Sequence, residues 1–175
     1  MKIIYFVHGT TYDNAEGRSS GWKDVALNEL GIQQSKDLAE QAKDLKFDMI
    51  FTSDLKRAVD SAELAFPKRG RIMDANLREC DYGDLNGEDE SLVVYEEHIY
   101  MPFPNGESLR DVERRIQRFI DETKYDYADK TIAIVAHRAP QLAFEVITKE
   151  ITWEEAIAND WRKRKAWQSG WEYEV

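Results

Sequence analysis

Apolar positions along this chain follow two rhythms. Lys2–Val7 is a short run rich in β-branched and aromatic residues, which predicts a buried strand. Residues 47–52 and Thr131–Ala136 are runs of the same kind, and Arg71–Met73 predicts a shorter strand. Between these runs the spacing turns helical. Residues 29–46 predict a helix with Asn28 as N-cap. Leu55, Ala58, Val59, Ala62 and Phe66 form a stripe after Ser53, a candidate cap, and Pro67 and Gly70 end that helix. Ser108 and Asp111 predict a capping box, followed by a stripe of Leu109, Val112, Ile116, Phe119 and Ile120. Pro140 suits the first turn of a helix after the strand at Thr131–Ala136, and Thr152 with Glu155 predicts another capping box. Residues 161–175 alternate aromatic and polar positions and predict packing that ends in an edge strand. Residues 8–27 read as a loop. Residues 74–107 are irregular, with a short helical piece near 90–98, and an irregular stretch of that length is usually functional.

Strands alternating with amphipathic helices predict an α/β fold over residues 1–175 as one domain. The expected arrangement is three-layer α/β/α around a mostly parallel, doubly wound sheet. Ligands of such folds bind at the carboxyl ends of the strands. That rule selects His8 after the first strand, Ser53 and Arg57 after the second, and His137 and Arg138 after the run ending at Ala136. Two histidines and two arginines therefore converge on one crevice.

This set suits phosphate chemistry. A neutral imidazole can attack phosphorus and divide one hard displacement into two easier ones. Arginine's planar fork matches phosphate oxygens, and a leaving alkoxide needs a proton from a nearby carboxylic acid. Glu79, Asp81 and Asp84 in the long loop are all candidates for that acid, and position alone does not choose among them. The formal charge of −10 argues against nonspecific nucleic-acid binding and requires any phosphate site to be locally positive. The single Cys80 excludes an internal disulfide framework. The three histidines lack metal-ligand spacing, so no metal is expected. No apolar run approaches bilayer length, and no small-residue cleavage site comes after the first strand, so the default expectation is a cytoplasmic protein without membrane contact.

The segment Val7-His8-Gly9-Thr10-Thr11-Tyr12-Asp13-Asn14 resembles the signature of the histidine phosphatase (phosphoglycerate mutase-like) superfamily, usually Arg-His-Gly-x-Thr-x-x-Asn. Trp22-x-Asp24 and Leu27-x-x-x-Gly31-x-x-Gln34 resemble the family's next stretch after that signature. Ser53-Asp54-Leu55-x-Arg57-Ala58, Leu77-Arg78-Glu79-x-x-x-Gly83, Pro104-x-Gly106-Glu107-Ser108 and Val135-Ala136-His137 resemble the later motifs, in order. The resemblance implies His8 as nucleophile, Arg57 and His137 on the phosphoryl oxygens, and Glu79 as the acid. It also implies Asn14, Thr11 and Gly9 beside the substrate, and neither metal nor cofactor. The implied substrate is a small phosphorylated metabolite. The chain's length is nearer the short phosphatases, including the α-ribazole phosphatase type, than the mutases. Mutase activity and a phospho-ligand-binding protein that has lost catalysis are the alternatives.

Two positions depart from the pattern. Val7 stands where the family has an arginine, and removing one such donor costs about 2.7–4 kcal/mol of transition-state stabilisation. Arg138 stands where the family usually has glycine. It is read as a ligand contact that partly replaces the absent arginine, or else as half of an ion pair. His98 is expected to be solvated or capping, and Arg162, Lys163, Arg164 and Lys165 to form a solvated basic helix face.

Overall fold

The computed structural model describes residues 1–163 and 170–175. In chain order its strands are β1 (Lys2–Val7), β2 (Arg18–Ser19), β3 (Met49–Thr52), β4 (Arg71–Met73), β5 (Glu88–Asp89), β6 (Thr131–Ala136) and β7 (Trp171–Glu174). The helices are α1 (Tyr12–Ala15), α2 (Glu29–Gln41), α3 (Lys56–Ala65), α4 (Leu109–Tyr127), α5 (Arg138–Lys149) and α6 (Trp153–Ala158). The central sheet runs β4-β3-β6-β1-β7, and β2 and β5 pair apart from it. β4, β3, β6 and β1 are mutually parallel, while β7 lies antiparallel on β1. The result is the mostly parallel α/β sheet that the alternation of strand and helix patterns implies.

Period-two alternation divides the strands between two cores. Ile3 and Tyr5 of β1 and Ile132, Ile134 and Ala136 of β6 pack with Val112, Ile116 and Phe119 of α4 and Phe144 of α5. Ile4, Phe6, Ala133 and Val135 pack with Leu38 of α2 and Ala62 and Ala65 of α3. Residues on both sheet faces are therefore apolar, which is why β1 and β6 read as continuous apolar runs. Register then sets the site. Val7 lies opposite Ala136, and Thr52 opposite Val135, so β1, β6 and β3 release His8, His137 and Ser53 side by side.

Several local expectations change. α2 ends at Gln41 rather than 46, where the chain turns (Leu45 N–H to Ala42 O, 3.0 Å) to bring Phe47 against Phe66. Leu38, Ala42 and Leu45 still lie on one core side, which made the helix look longer. Ser53 does not cap α3. Its hydroxyl faces His137, and the Lys56 N–H is instead met by Asp24 Oδ1 at 2.8 Å, from a distant loop. The segment 8–27 contains the single turn α1 and the short strand β2, and the stretch 74–107 holds short 3-10 turns and β5, which pairs with β2. The capping boxes at Ser108 and Thr152 are present. The edge strand at the end of the chain is β7. Arg164 and Lys165 of the basic run lie outside the described residues. No described helix is long and apolar enough to cross a membrane.

Candidate active site

His8 continues the β1 ladder, its N–H donating to Ala136 O at 3.0 Å. Its Nδ1 lies 2.7 Å from Gly9 O, which places the proton there and leaves the Nε2 lone pair free. His137 is pinned through its backbone. Its N–H donates to the Tyr5 hydroxyl (3.0 Å), which donates to His137 O (2.7 Å). His137 Nε2 is 2.8 Å from Ser53 Oγ, and its buried Nδ1 has no partner. The two imidazoles stand 5.0 Å apart, centroid to centroid.

Burial, and after it the Arg57 guanidinium, hold the His8 pKa down to about 3. Burial, then Arg57, then His8 hold His137 well below the usual imidazole range. Both rings are therefore neutral at pH 7. Below about pH 6.5 the unfolded chain protonates these histidines while the folded chain does not, so folding stability falls as pH falls through this range. Each histidine adds up to about 1.4 kcal/mol per pH unit. Chemical denaturation between pH 7 and pH 4 should show this slope, and His137→Gln should flatten it. An unchanged slope in that variant would contradict the neutral, buried state of His137.

Arg57 is 2% exposed and donates from Nη1 to Lys23 O (3.0 Å) and from Nη2 to Gly21 O (2.7 Å). A surface pairing is ruled out, because Asp54 is held by Arg78 and Asp60 by Lys56. The loop after β1 approaches the start of α2 very closely. A Cβ on Gly9 would lie 2.4 Å from Gly31 O, so glycine is needed at this crossing.

Glu79 is the loop carboxylate that lines two of the cavities at His8. Its Oε1 accepts from Ala139 N and Cys80 N (both 2.9 Å), and its Oε2 from Arg138 N at 3.2 Å, so it sits on the first turn of α5. Asp81 instead shapes its own loop through Gly83 N and Asn86 Nδ2, and Asp84 accepts from Asn105. The Glu79 carbonyl accepts from Trp22 Nε1 and Arg115 Nη2, each at 2.8 Å. Arg115 also pairs with Glu107, with Nε to Oε1 at 2.9 Å. Breaking a mostly buried pair of this kind costs about 3–5 kcal/mol. Arg115→Met should therefore lower the thermal midpoint and, by freeing the Glu79 backbone, lower turnover as well. Unaltered turnover in a destabilised variant would limit Arg115 to the fold.

The remaining candidates divide. Asn14 and Thr11 form the capping box of α1. Asn14 Oδ1 accepts from Thr11 N, so the Asn14 amide nitrogen is the end available to the cavity it lines. Thr11 is buried and lines none of the three cavities that touch His8, whereas Thr10 lines two of them. Gly9 lines the cavity toward α2. The ion-pair alternative for Arg138 is realised. Its guanidinium bonds Asp160 (Nε to Oδ2, 2.7 Å) and lies 4.3 Å over the Tyr95 ring, while the side chain borders the cavity at His8. His98 stacks on Phe103 at 3.7 Å. Three arginines (Arg57, Arg18 and Arg162) line the small cavity with His8, and the last two were not legible as site residues. Among the described residues, no group of three or more His, Cys, Asp or Glu side chains is placed to share a metal ion.

The arrangement is an α/β sheet carrying two neutral histidines, a buried arginine and a loop carboxylate at the carboxyl ends of its strands. A family model for the histidine phosphatase superfamily (branch 1) matches residues 4–152, and the chain belongs to that family. It is 33% identical over 136 residues to the uncharacterized phosphatase PhoE of Bacillus subtilis (strain 168), covering 75% of this chain and 69% of that one. It is also 33% identical over 171 residues to a 2,3-bisphosphoglycerate-dependent phosphoglycerate mutase of Brucella melitensis, covering 85% and 83%. A mycobacterial glucosyl-3-phosphoglycerate phosphatase in complex with VO3 superposes with a TM-score of 0.80 at 26% identity, covering 90% of this chain and 86% of that one. The α-ribazole phosphatase of Shigella flexneri shares the fold, with a TM-score of 0.79 at 24% identity and coverages of 90% and 84%.

Proposed function

We propose that this protein is a phosphatase hydrolysing a small phosphate monoester through a phosphohistidine on His8. The observation that carries this reading is the tautomer of His8. Gly9 O holds the Nδ1 proton, so a neutral ring offers its Nε2 lone pair to the cavity shared with Asn14 and Glu79.

Nε2 attacks phosphorus and the P–O bond to the alcohol breaks. The leaving oxygen takes a proton from the Glu79 carboxyl. Oε2 of that group accepts only one long bond, from Arg138 N at 3.2 Å, so a lone pair remains there to carry the proton. Water then attacks the phosphohistidine and gives its proton to Glu79, which releases phosphate and restores His8. Arg57 adds charge to the phosphoryl oxygens, and the unpartnered His137 Nδ1 is a donor for one of them. These steps use no metal or cofactor. A cavity of about 190 Å³ at His8 suits a small metabolite, in line with the mycobacterial and Shigella phosphatases whose fold it shares.

The test is trapping. Incubation with a ³²P-labelled ester and a detergent stop should give label on the protein that is acid-labile, base-stable and located on the His8 peptide. The mutase reading, which the Brucella relative favours, has the label pass to a phosphoglycerate acceptor instead of water. Phosphate protection against melting with no label and no turnover would replace both readings with a phospho-ligand-binding protein.

A further inference from the structure

The family's arginine before the nucleophile is Val7 here, and the site has to find that charge elsewhere. Of the three cavities that touch His8, two are lined by arginines. One, of about 190 Å³, is lined by Val7, Glu79, Arg138 and Arg162 among others. The other, of about 30 Å³, contains Arg57 and Arg18. The residues common to both are His8, Asn14, Glu79 and Arg162. Three of these are candidates for the phosphate chemistry itself. Arg162 is the only arginine lining both cavities, among the described residues.

The other arginines are less free to serve. Arg138 is held by the buried Asp160 and by the Tyr95 ring. Arg57 spends two donors on backbone carbonyls. Arg18 pairs with Glu16 at 3.2 Å and lines only the smaller of the two cavities. Arg162 is positioned but its head is not buried. Its backbone N–H donates to Oδ1 of the buried Asp160 at 2.9 Å, which holds the turn that carries it. Its guanidinium contacts Glu90 at 3.1 Å, in a pair with side chains 41% and 49% exposed. An exposed pair of that kind is worth little, whereas a guanidinium–phosphate contact is charge-assisted and bidentate.

We infer that Arg162 is a phosphate-binding residue of this enzyme, exchanging Glu90 for the phosphoryl oxygens and supplying from the carboxyl-terminal segment the charge that Val7 lacks. The inference rests on the phosphatase reading and extends it. Asp160 is the connecting group: Oδ2 holds Arg138 and Oδ1 holds the turn of Arg162, so one buried carboxylate keeps the first arginine in place and presents the second.

The test compares Arg162→Ala, Arg162→Lys, Arg162→Ala with Val7→Arg, and Glu90→Gln. Inorganic phosphate affinity is read by calorimetry, and KM and kcat are read with p-nitrophenyl phosphate. Arg162→Ala should weaken phosphate binding and raise KM about 10- to 100-fold, with the thermal midpoint unchanged. Arg162→Lys should keep part of the affinity, and Glu90→Gln should tighten it. Val7→Arg should restore most of what Arg162→Ala loses and gain much less in the parent, a non-additivity that a purely structural role for Arg162 would not produce. Wild-type phosphate affinity and KM in Arg162→Ala would overturn the inference while leaving the phosphatase reading intact. So would a loss that Val7→Arg does not restore. A parent protein that neither binds phosphate nor turns over the ester would remove both.

Discussion

His8→Ala should abolish the acid-labile phosphoenzyme and lower phosphate ester hydrolysis by on the order of 10⁴- to 10⁶-fold, the range seen when a covalent nucleophile is removed. The fold should survive the change. His8 is held to β6 through its backbone N–H and to Gly9 through Nδ1, and alanine keeps the first of these bonds. The loss should appear in kcat, while phosphate affinity changes far less, because Arg57 and the His137 donor remain. Circular dichroism and phosphate calorimetry on the variant separate loss of chemistry from loss of structure. If His8→Ala retained turnover within tenfold of the parent, the phosphohistidine route would be excluded.

Glu79→Gln should slow alkyl phosphates by about 10²- to 10⁴-fold while leaving nitrophenyl phosphate much less affected. An alkoxide leaves poorly without a proton, whereas nitrophenolate needs little help. Glutamine keeps one oxygen to accept from the first turn of α5, so the loop should stay docked through Ala139 N or Arg138 N. A plot of log kcat/KM against leaving-group pKa should steepen in the variant. Parallel lines for parent and variant would confine Glu79 to its structural bonds with α5.

Elements whose evidence is local were legible in the chain. β1 and β6 read as continuous apolar runs because both faces are covered, and the box at Ser108 closes within four residues. Elements decided by distant partners were not. Ser53 looks like a cap until His137 claims its hydroxyl, and the donor to Lys56 N comes from Asp24, thirty-two residues away in sequence. The same division holds in the site. His8 and His137 come directly after strands and Arg57 lies in the first turn of the helix that comes after β3, so topology alone brings them together. Arg162 lies in a basic run, which is usually a solvated face, and only the docking of its turn by Asp160 brings it to His8. No short-range pattern carries that information. Arg138, close to the crevice in sequence, is instead engaged by Asp160, a buried carboxylate contributed from beyond α6.

The register of β1 on β6 has a consequence for how such a chain can drift. His8 and His137 are separated by one inter-strand step, and the 5.0 Å between their rings is close to the ~4.8 Å spacing of any two neighbouring strands. The register therefore sets the separation of the two backbones, and the side-chain torsions that turn the rings 61° from each other bring them to this distance. Core side chains can exchange freely beneath it, provided the two strands neither slip nor separate. A chain that keeps this register keeps the two positions side by side, whatever becomes of its core side chains. Charge contributed by long side chains from loops has no such protection, so it is free to change hands between one segment and another.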